Sequence, residues 1–400
     1  MRRGLTFILA VACGLTVANL YYSQPLLDLV SHDFGVSQGA ATVVVTLTQI
    51  GYALGLLFLV PLGDLLENRK LAVRLLFGTA AAVLLAGLAP AYSVFLIVAV
   101  LVGTTSVVAQ VLMPLAAHLA PPEQRGALVG KVMSGLLTGI LLARTVSSFV
   151  ADLWGWRTIY FISAGLMIVL ALVLRRMLPE RKPEHTAGYV SLLRTVGTLA
   201  RTEPALRRRA FCQAMMFGAF TAYWTAIAYE LISEHAFSQG EIAIFALVGA
   251  GGAAAAPLGG RLADRGWGQK ASGAALALAS LMLILAAVGH RSVIILAVAG
   301  VLLDFAVNSH QVMSQHEIYA LRGDARARIN TVFMTSVFTG GAISSALTGV
   351  LHARYGWTGA CLLGAALPLI GLAVWARGRW TARVTETRNA EAAAELAPSV

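Results

Sequence analysis

The run Gly260-Arg261-Leu262-Ala263-Asp264-Arg265 connects two long apolar segments in the second half of this chain of 400 residues. A weaker copy lies in the first half, where Leu62-Gly63-Asp64 is followed by Arg69-Lys70. The pair Gly155-Trp156 likewise returns as Gly356-Trp357, and both pairs stand between apolar segments. Internal duplication with a polar signal between apolar helices is typical of membrane transporters built from repeats.

The composition agrees with a lipid environment. Hydrophobic residues make up 58% of the chain, charged residues 12%, and the mean hydropathy is +0.75, far from the averages of soluble domains. Segments long enough to cross a hydrocarbon layer of about 30 Å lie near residues 5–28, 38–62, 71–91, 94–119, 127–151, 158–175, 208–233, 241–263, 271–289, 292–318, 329–353 and 357–377. The sequence therefore predicts an all-α membrane protein with twelve transmembrane helices in two pseudo-symmetric six-helix bundles.

Four segments follow from this division of the chain. Residues 1–176 are predicted to form the first bundle and residues 208–378 the second. Residues 177–207 are polar and form the predicted cytoplasmic linker, and residues 379–400 lack periodicity and form a predicted flexible cytoplasmic tail.

The distribution of basic residues predicts the orientation. Lys and Arg collect in the termini and in alternate loops, whereas Arg157, Arg291 and Arg354 fall on the opposite side. Because such residues mark cytoplasmic loops, both termini are predicted to be cytoplasmic. The formal net charge of +11 is spread over loop ends that face lipid headgroups, which argues against a nucleic-acid partner.

The chain has three cysteines, all within predicted spans and far apart in sequence, so they indicate neither a disulfide framework nor a metal site. No His-Glu-x-x-His motif or nucleophile with a base is present in the sequence, which argues against a membrane enzyme. A filter-like carbonyl loop is also missing from the pattern, which argues against a channel. We expect no cofactor, a monomer, and a small-molecule substrate.

The two six-helix halves, the charged linker and the run that begins at Gly260 resemble the major facilitator superfamily over essentially the whole chain. The resemblance implies a conformational latch on the cytoplasmic side, formed by Gly260, Asp264 and Arg265 in one copy and by Asp64 and Arg69 in the other. A charged turn without a latch role is the alternative.

The loops Pro121–Gly126 and Gly155–Arg157 are similar to those of the 12-helix bacterial antiporters that exchange drugs or metabolites for protons. The chain departs from that branch at Ala143-Arg144 and Ser147-Ser148, where such antiporters have Gly-Pro and Gly-Gly. It also has no Arg in predicted helix four. Arg144 is expected to act instead, because a buried Arg is too costly to be idle. Alternatively, it reaches outward and pairs with Asp152.

Asp304 is the acid nearest the middle of a predicted span, which makes it the candidate for the coupling proton. A partner Arg that moves with the other bundle changes the affinity of such an acid for its proton. Asp304 and Arg144 are therefore the predicted proton-coupling pair. A static structural ion pair between them is the alternative.

Two helical faces predict the substrate site, because residues at offsets 0, 4, 7 and 11 share one side of a helix. The resemblance implies that helices one, four, seven and ten line the cavity. The predicted substrate-binding residues are Asn19, Tyr22 and Gln24 on helix one, Gln110 on helix four, Gln213, Phe217, Phe220 and Trp224 on helix seven, and Asn308, Gln311 and Gln315 after Asp304 on helix ten.

Aromatic walls, several amides and one acid suit a small amphiphilic molecule better than a phosphate, which calls for clustered Arg or Lys. We therefore expect a multi-pass protein of the bacterial cytoplasmic membrane that exports such molecules in exchange for protons. A proton-coupled importer or a uniporter with the same fold is the alternative.

Overall fold

The computed structural model describes residues 3–119, 125–180, 188–249, 262, 265, 267–322 and 325–395. Every regular element in these ranges is a helix. The first half contains α1 (Arg3–Ala18), α2 (Leu27–Phe34), α3 (Gln38–Ala41), α4 (Val43–Phe58), α5 (Asn68–Gly87), α6 (Tyr92–Thr105), α7 (Val108–Leu119), α8 (Arg125–Trp154) and α9 (Thr158–Met177). The second half contains α10 (Tyr189–Thr202), α11 (Pro204–His235), α12 (Gln239–Ala246), α13 (Gly268–Val288), α14 (Val293–Leu321) and α15 (Arg326–Glu395).

The described helices correspond to the predicted spans, except that most of the span near residues 241–263 lies outside the described ranges. In the described ranges, 8 helical segments are long and apolar enough to cross a membrane, and the longest, Arg326–Gly378, is 53 residues long and contains the break at Gly356. Gly4–Ala18 and Gln239–Gly249 are shorter apolar helices, and α11 is 32 residues long. The all-α membrane fold expected from the sequence is confirmed, while the cytoplasmic position of both termini stays a prediction.

Several predicted spans are interrupted, two of them at Pro25 and near Ser106. Between α1 and α2 the chain forms a 3-10 turn at Gln24–Leu26, because Pro25 has no backbone N–H to continue the α-helical pattern. Predicted span four is divided between α6 and α7, where the hydroxyl of Ser106 donates to the carbonyl of Val102. The first interruption matters most, since it carries Gln24 into the centre of the molecule.

Glycines allow helices of the first bundle to touch. A Cβ added at Gly139 of α8 would lie 2.2 Å from the carbonyl oxygen of Gly14 in α1, and one at Gly135 would lie 2.3 Å from that of Ala10. Gly135 and Gly139 thus form a small-residue face on α8 that allows close approach to α1. It fixes α8, which carries Arg144, directly against α1.

The glycine of each duplicated Gly-Trp pair has a positive φ. Gly155 and Gly356 have φ values of 85° and 60°, a region that side chains with a Cβ rarely adopt. The following residues, Trp156 and Trp357, are both buried. The indole nitrogen of Trp357 donates to the carbonyl of Ala286 at 2.9 Å. Each pair therefore turns the chain between consecutive long helices and anchors the second one.

The two bundles meet along α4 with α15 and along α8 with α12. Near the predicted external end, the backbone N–H of Gly240 donates to Asp152 at 3.2 Å and the hydroxyl of Tyr229 donates to the carbonyl of Gln38 at 3.3 Å. These hydrogen bonds join the bundles at that end.

The linker and the tail also contain helix. In α10 the side chains of Leu192, Val196 and Leu199 are buried, and the Tyr189 hydroxyl donates to the carbonyl of Phe58 at 2.8 Å. The amphipathic part of the linker thus packs mainly on α11 and α15 of the second bundle and is hydrogen-bonded to the first. Residues 379–395, within the predicted tail, are helical as a continuation of α15, and the mobility of this segment stays a prediction.

Candidate functional site

A cavity of about 100 Å³ lies between the bundles. It is lined by α4, α7, α8 and the end of α1 from the first half and by α11, α14 and α15 from the second. The structure brings seven of the predicted site residues to this cavity: Gln110, Arg144, Phe217, Phe220, Asp304, Asn308 and Gln311. Trp224 lies directly behind them, against both Arg144 and Asp304.

Arg144 points into the protein and is 2% exposed. Its Nε donates to Oε1 of Gln24 at 3.0 Å. Its guanidinium carbon lies 4.0 Å from the ring centroid of Trp224, 4.9 Å from that of Phe220 and 5.3 Å from that of Tyr21. We call these three rings the ring cage. A guanidinium at such distances is attracted by the negative face of each ring.

Asp304 is 4% exposed and is held by the same tryptophan. The indole Nε1 of Trp224 donates to Oδ1 of Asp304 at 2.8 Å. One turn later, the amide of Asn308 donates to the backbone carbonyl of Asp304 at 2.8 Å. Trp224 therefore contacts the acid through its edge and Arg144 through its face.

Neither direct ion pair considered for Arg144 is present among the described residues. Its charge and that of Asp304 interact through space, but no nitrogen of the guanidinium lies within ion-pair distance of the carboxylate. Asp152 lies near the C-terminal end of α8 and accepts a hydrogen bond from the backbone N–H of Gly240. The two alternatives considered for Arg144, a static ion pair with Asp304 and a pair with Asp152, are therefore not observed in this structure, in which the ring cage and Gln24 hold the guanidinium.

Six predicted substrate contacts do not line the cavity: Gln24 and Trp224, which hold Arg144 and Asp304, and also Asn19, Tyr22, Gln213 and Gln315. Asn19 accepts the hydroxyl of Ser163 at 2.5 Å, and the neighbouring Tyr22 is buried. Gln213 pairs with His310 at 2.6 Å between α11 and α14. Gln315 is half-buried further along α14. Asn19 and Gln213 therefore satisfy polar groups inside their own bundles.

The latch residues are described in part. Arg69 forms ion pairs with Glu67, at 3.5 Å, and with Glu180 at the end of the first bundle. Asp64 ends a 3-10 turn that begins at Val60. In the second copy Arg265 is exposed, while residues 260 and 264 lie outside the described ranges. The latch stays a prediction in both copies.

Sequence reasoning missed the walls contributed by α4, α8 and α15. The ring centroids of Tyr52 and Phe338 are 4.3 Å apart across the bundle interface, and both rings line the cavity. On α8, Leu137 and Leu141 precede Arg144 by 7 and 3 residues and share its helical face. Their spacing from Arg144 is a signal in the sequence for these two residues, because side chains on the same helical face as a cavity-lining Arg line the cavity too.

Comparison with known proteins identifies the family to which this architecture belongs. The Major Facilitator Superfamily profile matches residues 6–208 and again residues 209–400. The chain belongs to the major facilitator superfamily. Like other members of this superfamily, it is a membrane-spanning transporter.

Similar members of the superfamily come from several bacteria. The Uncharacterized transporter YgaY of Escherichia coli O157:H7 is 41% identical over 375 residues, which cover 94% of this chain and 95% of that protein. Multidrug resistance protein MdtG of Citrobacter koseri is 27% identical over 296 residues, covering 71% and 72%. A solved bacterial homolog of the human lysosomal transporter Spinster has the same fold, with a TM-score of 0.69 and 16% identity over 94% of this chain and 96% of that chain.

Proposed function

We propose that this protein is a secondary active transporter of the bacterial cytoplasmic membrane that exports small amphiphilic molecules in exchange for protons, by alternating access. The observation that carries the proposal is the burial of two opposite charges from different bundles in one cavity. Arg144 belongs to α8 and Asp304 to α14. Because rocking of the bundles changes the distance between them, it also changes the affinity of Asp304 for a proton.

The substrate class follows from the walls. The side chains of Leu137, Leu141 and Phe338 offer apolar and aromatic surface, while Gln110 and Gln311 offer amides. Such a lining accepts a molecule with a large apolar part and few polar groups. The name of the distant relative MdtG supports export of drug-like molecules, in the role of a multidrug resistance protein.

The experiment uses purified protein in liposomes with an imposed pH difference and a clamped membrane potential. Two fluorescent or radiolabelled amphiphiles serve as probes: ethidium, a cation, and chloramphenicol, which is neutral. Exchange for protons predicts that at least one probe accumulates when the lumen is acidic. Accumulation with an acidic exterior would identify a proton-coupled importer instead, and equilibration that ignores the pH difference would identify a uniporter.

A further inference from the structure

The guanidinium of Arg144 is held by rings more than by hydrogen bonds. Its Nε donates to Gln24, but its buried Nη2 has no hydrogen-bond partner among the described residues. Buried guanidinium groups ordinarily use most of their donors. The faces of Trp224, Phe220 and Tyr21 at 4.0 to 5.3 Å therefore supply much of the attraction, and they act on any compact cation.

Arg157 is a useful comparison for Arg144, because its guanidinium is held by hydrogen bonds as well as by rings. Its guanidinium also lies over two rings, 4.5 Å from that of Trp156 and 5.1 Å from that of Phe34. In addition it donates to Asp33 at 2.7 Å and to two backbone carbonyls at 3.0 and 3.2 Å. Arg144 lacks a direct carboxylate partner of this kind, so less binding is lost when it leaves its cage.

The ring cage is shared between the bundles. Tyr21 follows α1 in the first bundle, whereas Phe220 and Trp224 belong to α11 in the second. When the bundles separate, Arg144 moves away from Phe220 and Trp224, because it is carried by α8. What remains on α11 and α14 is two ring faces beside the buried carboxylate of Asp304, and this combination binds organic cations.

We propose that Arg144 is a tethered occupant of the cation site of the transporter. The substrate class is then a monovalent organic cation with a quaternary ammonium, guanidinium or similar head and an apolar body. Its head replaces the Arg144 guanidinium against Trp224 and Phe220, and its body lies along Leu137 and Leu141. This inference rests on the proposed transport function and names its substrate. Arg144 and substrate exclude each other, so the return of Arg144 expels the bound cation.

The test measures equilibrium binding to the full-length protein in detergent by calorimetry. The probes are benzyltrimethylammonium, a cation, and phenylacetate, an anion of similar size. Arg144→Met removes the competing charge and keeps a long apolar side chain. We expect it to tighten binding of benzyltrimethylammonium by roughly tenfold or more, since one desolvated contact between a cation and a ring is of that order. Arg157→Met is the matched control and should leave the affinity unchanged.

A second substitution separates the ring cage from a general loss of positive charge. In the Arg144→Met background, Phe220→Leu keeps apolar volume but removes one ring face, so the affinity for the cation should fall several-fold. An unchanged affinity would place the cation elsewhere and overturn the inference. If Arg144→Met does not fold, Arg144→Gln, which also removes the competing charge, must still tighten binding of benzyltrimethylammonium.

The opposite ligand charge gives a distinct result. If wild-type protein binds phenylacetate and Arg144→Met abolishes that binding, Arg144 is an anchor for anions and the inference is wrong. Exchange of protons for chloramphenicol without tighter cation binding in Arg144→Met would also overturn it, while leaving the proposed export function intact. Tighter cation binding in Arg144→Met without any proton exchange would refute the proposed proton-coupled export and support the cation site.

Discussion

Replacing Asp304 by Asn removes a proton-binding group from the cavity while keeping the shape of the side chain. The Asn carbonyl still accepts the indole N–H of Trp224, which lies 2.8 Å from Oδ1 in the wild type. A hydrogen bond to a charged acceptor contributes about 1.5–3 kcal/mol and a neutral one about 1 kcal/mol. We therefore expect a loss of about 0.5–2 kcal/mol of folding stability, which leaves the protein folded and inserted.

The effect on transport should be much larger. Exchange of one proton per substrate against a pH difference of two units sustains an accumulation ratio of up to about 100-fold, because each unit contributes about 1.4 kcal/mol. Without an ionisable group at residue 304, the ratio should fall to about one. Binding and downhill exchange of the neutral probe chloramphenicol need no net proton transfer, so both should persist, whereas ethidium, a cation, should bind more weakly without the carboxylate.

The assay follows uptake of ethidium or chloramphenicol into acid-loaded liposomes, with a pH-sensitive dye inside. The wild type should show accumulation together with a rise in the luminal pH. With chloramphenicol, Asp304→Asn should show binding and substrate exchange without either signal. If this variant still concentrates the probe with its pH dependence intact, the proton binds elsewhere and the coupling mechanism proposed here is refuted.

Further substitutions test the packing, the latch and the external contact between the bundles. Gly139→Ala should lower the melting temperature, because its Cβ would lie 2.2 Å from a backbone oxygen of α1, whereas Gly165→Ala, which meets nothing within 4 Å, should be neutral or slightly stabilising. Asp264→Asn should lower transport without loss of insertion, and Asp64→Asn should be milder; the reverse order would show that the first copy of the latch carries the interaction. Asp152→Asn weakens the charge-assisted hydrogen bond from Gly240, at the start of α12, by about 1 kcal/mol, so the external face should open more often. A cysteine introduced into the cavity should then react faster with a thiol reagent added from outside. An unchanged labelling rate would count against this contact as a gate.

The fold could be predicted because its signals are local or repeated. Apolar length marks the spans, and the recurrence of Gly155-Trp156 at Gly356-Trp357 marks the two halves. Both glycines have a positive φ, so the recurrence of the Gly-Trp pair has a physical cause: each half needs a glycine at this turn. The residue types alone therefore predict the turn in both halves, without knowledge of tertiary contacts.

The candidate site could be predicted only in part, because its contacts cross between helices. In α11 nearly every residue from Cys212 to Leu231 is buried. The helix therefore has no lipid-facing side from which its cavity-facing side could be deduced. Phe217 and Phe220 meet the cavity, but Gln213, on the same stripe, finds His310 within the bundle. A helical face predicts which residues point the same way, and not which neighbour each one meets.

Trp224 explains how two buried charges persist in one cavity without touching. Its ring face contacts the Arg144 guanidinium at 4.0 Å, and its Nε1 donates to Asp304. A direct ion pair in an apolar site would hold the bundles together, since separating two bare charges in a low dielectric costs several kcal/mol. Here each charge keeps a neutral partner of its own, Gln24 for the guanidinium and Trp224 for the carboxylate. Separation of the bundles then changes the electrostatic interaction between the charges without leaving either one unsolvated, which is what a coupled rocking motion requires.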